Sequence, residues 1–485
     1  MPRASRGRKL AVVQNTAIDD RKSLNRLILN LAIPAFLSLV AEPLFLMADS
    51  AVVGHVGTSQ LAGLGVASTA LLTATGLFVF LAYATTATSS RRMGAGDRAG
   101  AATAGVDGLW LSLLIGIVVA LLIVILDVPT ARLFGAQGQT AQFAAQYLQI
   151  AGWGVPAMLA TMAVTGVLRG FQDTRTPLVA TVIAFSANLV LDLVLVLGLG
   201  WGIRGSAAAT LICQVGLAVG LVWVFIIRTR GVGLSLGFHP AGVAGSMRDG
   251  VPLLTRTLAL RGAMMATTWV AARLGDVEMA SYQVSLTVWN FLSMALDALG
   301  IAGQALTGEA LGAEDGQRAR KLTAIMARWG AWVGVGMGVV LVAIHRLLPL
   351  AFSTQGDVRL AIAAGLLVVA VLQPLSGPVF VLDGVLIGAG DGKWLSGAQV
   401  VMLVAYLPMI IGVYLAQPSG SMAVVWLWVA WAGFMAVPGQ ERHATEDGIR
   451  RFRPRPGRGD ARFTPPAASK CLPEHATTAA TRALP

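Results

Sequence analysis

Leu109 to Leu126 runs for eighteen residues without a charged side chain, and Val401 to Ala436 carries none either. A helix needs roughly 20 apolar residues to cross the hydrocarbon layer of a bilayer, so such runs are candidate membrane spans. Only 12% of the 485 residues are charged and 55% are hydrophobic. A soluble domain carries about 25% charged residues; with half that share, most of this surface cannot face water. Apolar windows place twelve spans, at about 27–53, 61–89, 105–126, 143–168, 177–199, 206–227, 249–272, 279–306, 323–348, 360–388, 395–415 and 420–437. The fourth and tenth are less uniformly apolar and hold internal prolines, so their limits are the loosest.

The net charge of +12 follows from orientation rather than from nucleic-acid binding, because Lys and Arg gather on the cytoplasmic side of a membrane protein. Arg3, Arg6, Arg8, Lys9, Arg21, Lys22 and Arg26 precede the first span. The loops on that same side take Arg91, Arg92, Arg98, Arg169, Arg175, Arg228, Arg230, Arg248, Arg318, Arg320, Lys321 and Lys393. The opposite loops hold Arg132, Arg204, Arg273, Arg346 and Arg359. Both termini are therefore expected in the cytoplasm, with the chain multi-pass in the plasma (inner) membrane. The basic, polar start and the long, Pro-interrupted first apolar run do not read as a cleavable signal. Cys213 and Cys471 give no disulfide framework.

One constant offset, the one that carries Pro34 onto Pro252, superposes the two halves of the text. Under it Gly57 falls on Gly275, and Gly94-Ala95-Gly96-Asp97 on Gly312-Ala313-Glu314-Asp315. Further along, Gln137-Gly138 falls on Gln355-Gly356, Pro156 on Pro374, and Gly166-Val167-Leu168 on Gly384-Val385-Leu386. Each repeat holds six spans, an even number, so both run the same way through the bilayer. The expected fold is an all-α membrane protein: twelve transmembrane helices in two parallel six-helix lobes, with pseudo-two-fold symmetry about the membrane normal and substrate bound between the lobes. The expected organisation is a basic cytoplasmic N-terminus (1–26), an N-lobe (27–228), a cytoplasmic linker (229–248), a C-lobe (249–437) and an atypical, disordered C-terminal tail (438–485). By the repeat, the twelfth span should reach about residue 445; the apolar text stops short of that and turns abruptly Pro/Arg-rich, as in an altered reading frame.

Ionisable groups inside spans cost about 2.5–3.5 kcal/mol each on insertion scales, so each invites a functional reading. Glu42, Asp49, Asp192, Arg256, Arg261, Asp297 and Asp383 fall inside the expected spans. Arg256 and Glu42 read equally well as members of structural ion pairs or as groups near span ends. Asn188 stands one helical turn before Asp192 on the same face. Two carboxyls and an amide in low dielectric can take up and release a proton near physiological pH. The offset puts Thr267 opposite Asp49, Tyr406 opposite Asn188 and Ile410 opposite Asp192, so ion coupling is expected of the N-lobe alone.

These residues carry a resemblance. Ala41-Glu42-Pro43-Leu44, Ala48-Asp49-Ser50-Ala51-Val52-Val53-Gly54-His55-Val56-Gly57, Gly166-Val167-Leu168-Arg169-Gly170-Phe171-Gln172-Asp173-Thr174, Asn188-Leu189-Val190-Leu191-Asp192 and Ala302-Gly303-Gln304-Ala305-Leu306 together resemble the multidrug and toxic compound extrusion (MATE) transporters, DinF-like branch. The resemblance covers about residues 20–436 and is specific as an ensemble. It implies drug efflux driven by H⁺ or Na⁺ as coupling ion, with no other cofactor. It also implies that Asp49 matches the family's first-helix acid, Asn188 and Asp192 its fifth-helix polar pair, and Pro34 the hinge at which the first helix bends. A Na⁺ site would use the same Asp49, Asn188 and Asp192; no other metal is expected.

Glu42, Arg261, Trp289, Asp297 and Asp383 are the substrate-cleft candidates. Asp297 and Asp383 suit cations, with Arg261 available to pair with one of them. Trp289 lies near mid-span, whereas Trp110, Trp201, Trp394, Trp426 and Trp428 read as interfacial anchors. No Walker A pattern occurs, and the five histidines show no zinc-ligand spacing. The expected function is an ion-coupled antiporter exporting small organic compounds, not an enzyme, acting as a monomer on small molecules within the lipid bilayer and without nucleic acid. A flippase for lipid-linked precursors is the alternative; it would line its cleft with several Arg or Lys residues. A channel would not need the titratable pair, and an integral-membrane enzyme would need a catalytic constellation that the text lacks.

Overall fold

The structure, a computed structural model, describes residues 21–232 and 235–436. The expectations for the extreme N-terminus and for the tail over 438–485 lie outside the described residues. Every regular element among the described residues is helical. Among the described residues, ten helical segments are long and apolar enough to cross a membrane, and Gly420–Met435 is a shorter apolar helix. The remaining long helix, Pro240–Leu274, carries Arg256 and Arg261 among its apolar residues.

The first half consists of α1 (Arg21–Gly54), α2 (Thr58–Gly76), α3 (Phe80–Gly94), α4 (Arg98–Ile125), the short α5 (Asp127–Leu133), α6 (Gly138–Ala151), α7 (Val155–Gly170), α8 (Arg175–Asp192) and α9 (Ile203–Thr229). The second half consists of α10 (Pro240–Leu274), α11 (Asp276–Gly312), α12 (Gly316–Ile344), the short α13 (Leu348–Phe352), α14 (Gly356–Ala389), α15 (Gly392–Ala416) and α16 (Gly420–Ala436). The repeat is visible at the helix ends. The offset that carries Pro34 onto Pro252 also carries Gly94, the end of α3, onto Gly312, the end of α11. It carries Gly138, the start of α6, onto Gly356, the start of α14. Local chemistry repeats as well. Asp97 caps α4 by accepting from the Gly100 N–H at 2.8 Å, and Asp315 caps α12 by accepting from the Arg318 N–H at 2.9 Å. Ahead of each cap the chain turns through the left-handed region, at Gly96 (φ 76) and at Glu314 (φ 59).

The halves differ where the sequence left room. The second span is broken at residues 77–79 into α2 and α3, while its counterpart α11 is continuous. The fourth span is broken by a 3₁₀ turn at Gly152–Gly154 ahead of Pro156, while α14 runs through Pro374 and Pro378. The short helices α5 and α13 fill loops in which the hydropathy pattern predicts no element. Helix α10 begins at Pro240, so residues 240–248 of the expected linker are helical.

Helices α1 and α10 are shared between the halves. The start of α1 packs Leu24, Ile28 and Leu31 against Leu299, Ala302 and Leu306 of α11, while farther along Phe45 stacks on Phe185 of α8 with centroids 4.6 Å apart. Pro34 is buried between these two stretches. Helix α10 mirrors this: Val243 and Leu253 join the core of the first half, and Ala263 and Val270 join that of the second half beside Tyr406 of α15. Between the halves, α3 and α11 cross on glycine. A side chain at Gly94 would collide with the Glu309 carbonyl, and one at Gly312 with the Arg91 carbonyl. Both contacts are the same contact seen from each repeat, so backbone meets backbone on both sides of a two-fold.

Candidate functional site

Asp49, on α1, is 1% exposed and accepts a hydrogen bond from Ser206 Oγ of α9 at 2.7 Å. Asp192, the last residue of α8 before a π-helical turn over Leu193–Gly198, is 0% exposed; such turns interrupt the regular ladder and often mark functional positions. With its amide oriented so that donors meet acceptors, Asn188 donates to Asp192 Oδ2 at 2.7 Å and accepts from the Thr210 N–H at 3.1 Å. The two carboxyl groups are close enough to influence each other electrostatically, and Asp49 Oδ2 and Asp192 Oδ1 have no hydrogen-bond partner among the described residues. Two neighbouring buried carboxyls cannot both carry charge cheaply, so the arrangement asks for a proton, or another cation, between them. The sequence-predicted trio Asp49, Asn188 and Asp192 is thus brought together by α1, α8 and α9.

Sequence reasoning missed Ser206, Thr210 and Tyr147, whose hydroxyl lies 3.1 Å from Thr210 Oγ1. A signal was present. By the offset of the repeat these three polar residues face Val424, Trp428 and Gly365 in the second half, so polarity appears on one side of the repeat only. The second half makes the contrast geometric. At the counterpart of the Asp49–Asn188 position, Thr267 Oγ1 and Tyr406 OH form a neutral pair at 2.5 Å, and Ile410 is buried where Asp192 would stand.

The cleft candidates separate. Asp383 is held bidentately by Arg256, Nε to Oδ1 at 2.9 Å and Nη2 to Oδ2 at 2.5 Å. The basic partner is therefore Arg256, not Arg261: one face of α10 turns Arg256 toward α14, while Arg261 is exposed with its guanidinium over Gly76 at the end of α2. Asp297 lies in electrostatic range of Arg256, Asp383 and Arg169. Arg169, counted above as a loop charge, is in the last turn of α7 and lies in electrostatic range of Asp297. Glu42 is exposed on α1. Trp289 is 4% exposed and stands 5.4 Å from Trp428 and 6.3 Å from Trp431, ring centre to ring centre, so it fills the interior of the second half. Trp428, read as an interfacial anchor, belongs to the same aromatic core, because the short α16 is covered by α11, α14 and α15.

The MatE family model matches this chain twice, over residues 34–194 and 252–415. The two matches begin at Pro34 and Pro252, the pair that defines the repeat, and together they cover most of the helical bundle. The chain belongs to the MatE family. It is a multi-pass membrane transporter of the multidrug and toxic compound extrusion class, DinF-like, and not an enzyme. Among its relatives, Protein DETOXIFICATION 44, chloroplastic, of Arabidopsis thaliana is 30% identical over 82% of this chain and 78% of its own length. DNA damage-inducible protein F of Escherichia coli is 29% identical over 86% of this chain and 91% of its own. In three dimensions the MatE chain is similar to a MOP superfamily transporter from Pyrococcus furiosus, with a TM-score of 0.79 at 20% identity, over 88% of this chain and 96% of the other. A MATE structure in a bent conformation superposes with the same TM-score of 0.79, covering 88% and 97% of the two chains.

Proposed function

We propose that this transporter exports small organic compounds in exchange for protons, and that the Asp49–Asp192 pair is the proton carrier. The supporting observation is the burial of the two neighbouring carboxyls, with Ser206 and Asn188 each donating one hydrogen bond and no basic side chain bonded to either acid among the described residues. A proton between two carboxyls can leave only if something else stabilises the charge left behind, which is the condition a coupled exchanger needs. Helix α1 offers a route from proton to motion. Its start rests on the second half and its Asp49 end on the first, with Pro34 between. Proline removes a backbone hydrogen bond and lets a helix bend there, so a change in charge at Asp49 can alter how α1 lies between residues 27–228 and 249–437, the two lobes of the working cycle. Both termini then face the cytoplasm, and the monomer is the working unit. Organic cations are the substrates that Asp297, left with a share of Arg256 and Arg169 rather than a bonded partner, accommodates best. The flippase alternative asks for several free basic residues in the cleft, and Arg256 is neutralised by Asp383.

The test is transport of a fluorescent organic cation into inverted membrane vesicles. Uptake should follow an imposed pH gradient and collapse with a protonophore. Uptake that follows a Na⁺ gradient at constant pH would assign the same pocket to Na⁺ and overturn the proton reading.

A further inference from the structure

A cavity of ≈ 290 Å³, whose lining includes none of Asp49, Asn188 and Asp192, opens between α3, α10 and the junction of α14 with α15. Its lining brings together Arg91, Arg248 and Lys393 with Asp249 and Asp391. None of the three cations forms an ion pair with a carboxylate among the described residues. Arg91 is fixed: its Nη1 donates to the Gly388 carbonyl at 3.1 Å, and its guanidinium lies over Gly390, where a side chain would strike it. Arg248 and Lys393 are exposed at the rim.

The repeat explains why there is a hole here. Under its offset, Gly390 corresponds to Gln172, Arg91 to Glu309, Arg248 to Asn30 and Lys393 to Arg175. In the first-half copy, Gln172 fills the space and donates to Glu309, and Asp173 is paired with Arg228 at 2.6 Å. In the second-half copy the plug is absent, because Gly390 has no side chain, and the acid it would bond has become the base Arg91. The start of α15 adds to this. Asp391 makes no side-chain cap there, and the first N–H groups of a helix lack partners within it.

We propose that this cavity binds a phosphate-bearing anion, with Arg91 as the fixed donor and Arg248 and Lys393 closing over it from the rim. Guanidinium groups meet phosphate oxygens two at a time, and a lysine adds a mobile charge. Asp249, in electrostatic range of Arg91, and Asp391 offset two of the three positive charges in the lining, which limits the site to one small anionic group. The anion is either free in solution or the headgroup of a phospholipid.

The experiment uses the purified full-length transporter. Inorganic phosphate is titrated while the melting temperature is followed, with chloride at matched ionic strength as control; in parallel, native mass spectrometry records phospholipid that survives delipidation. The variants are the rim pair Arg248→Gln/Lys393→Gln and the plug Gly390→Gln, which restores the side chain of the first-half copy. The proposal expects a saturable phosphate-dependent rise in melting temperature, at least ~10-fold weaker in apparent Kd in the rim variant, for a soluble anion. For a lipid headgroup it expects a bound phospholipid in the unaltered protein that the rim variant loses. If Gly390→Gln does not fold, the exposed rim pair alone decides. No phosphate effect together with no retained phospholipid in the unaltered protein overturns the proposal, and so does binding undiminished in the rim variant.

Discussion

Replacing Asp49 by Asn separates the fold from the coupling. The new amide has the same shape, and its oxygen can still accept from Ser206 Oγ, which donates to Asp49 at 2.7 Å. Only the titration and the second acceptor are lost. A net hydrogen bond is worth about 1 kcal/mol, and here the bond is retained, so thermal stability in detergent should fall by less than that. Removing the donor is worse: Ser206→Ala leaves a carboxylate oxygen buried without its partner, at about 1–3 kcal/mol. Activity should rank the other way. Asp49→Asn should abolish uptake of a fluorescent cation driven by a pH gradient in vesicles, while Ser206→Ala should slow it and retain its pH dependence. Asp192→Asn should be the milder of the two acid changes, because Asp49 remains to titrate alone. Gradient-driven uptake by Asp49→Asn at the level of the unaltered protein, in vesicles holding equal amounts of each, would refute the reasoning.

Three further expectations concern the second half and the seam. Tyr406→Phe breaks the neutral bond to Thr267 at the position opposite the proton pair; it should lower stability by about 1 kcal/mol and leave the pH dependence of transport intact. Arg256→Met alone leaves the partly buried Asp383, 20% exposed, unpaired, at roughly 1–3 kcal/mol, whereas Arg256→Met with Asp383→Leu should recover most of that loss; melting curves of the single and double variants test the difference. Gly94→Ala and Gly312→Ala each push a methyl into a carbonyl of the other half; they should cost similar amounts, about 1–3 kcal/mol, and unequal losses would show that the two-fold contact is not shared evenly.

Much of this architecture was legible because a membrane simplifies the code. Charge-free runs give the helices, and a constant offset gives their pairing, which is why Asp97 and Asp315 could be matched before their caps were seen. Breaks were harder. The turn at residues 77–79 contains only Leu77, Phe78 and Val79, apolar residues that hydropathy reads as helix, while the conformation there is set by packing against the neighbouring helices. Asp49, Asn188 and Asp192 stood out as polar residues in apolar text. Ser206, Thr210 and Tyr147 did not, because hydroxyls are common in membrane helices and only folding shows which ones face an acid. The partner of Asp383 was a matter of helix rotation: Arg256 and Arg261 are more than one turn apart on α10 and therefore point to different neighbours. Trp428 misled for a similar reason: it lies midway along Gly420–Ala436 and faces the covering helices of the second half rather than an interface.

Coupling requires a proton to leave the Asp49–Asp192 pair when substrate binds. The direct measurement is proton release from the purified transporter in weakly buffered detergent solution on adding a saturating organic cation, read with a pH-sensitive dye. Proton coupling at this pair predicts a release that saturates with substrate and is absent from Asp49→Asn, which still binds the compound. Substrate binding by the unaltered protein with no release of protons at any pH between about 5 and 8, the range in which a perturbed carboxyl pair would exchange its proton, would contradict it.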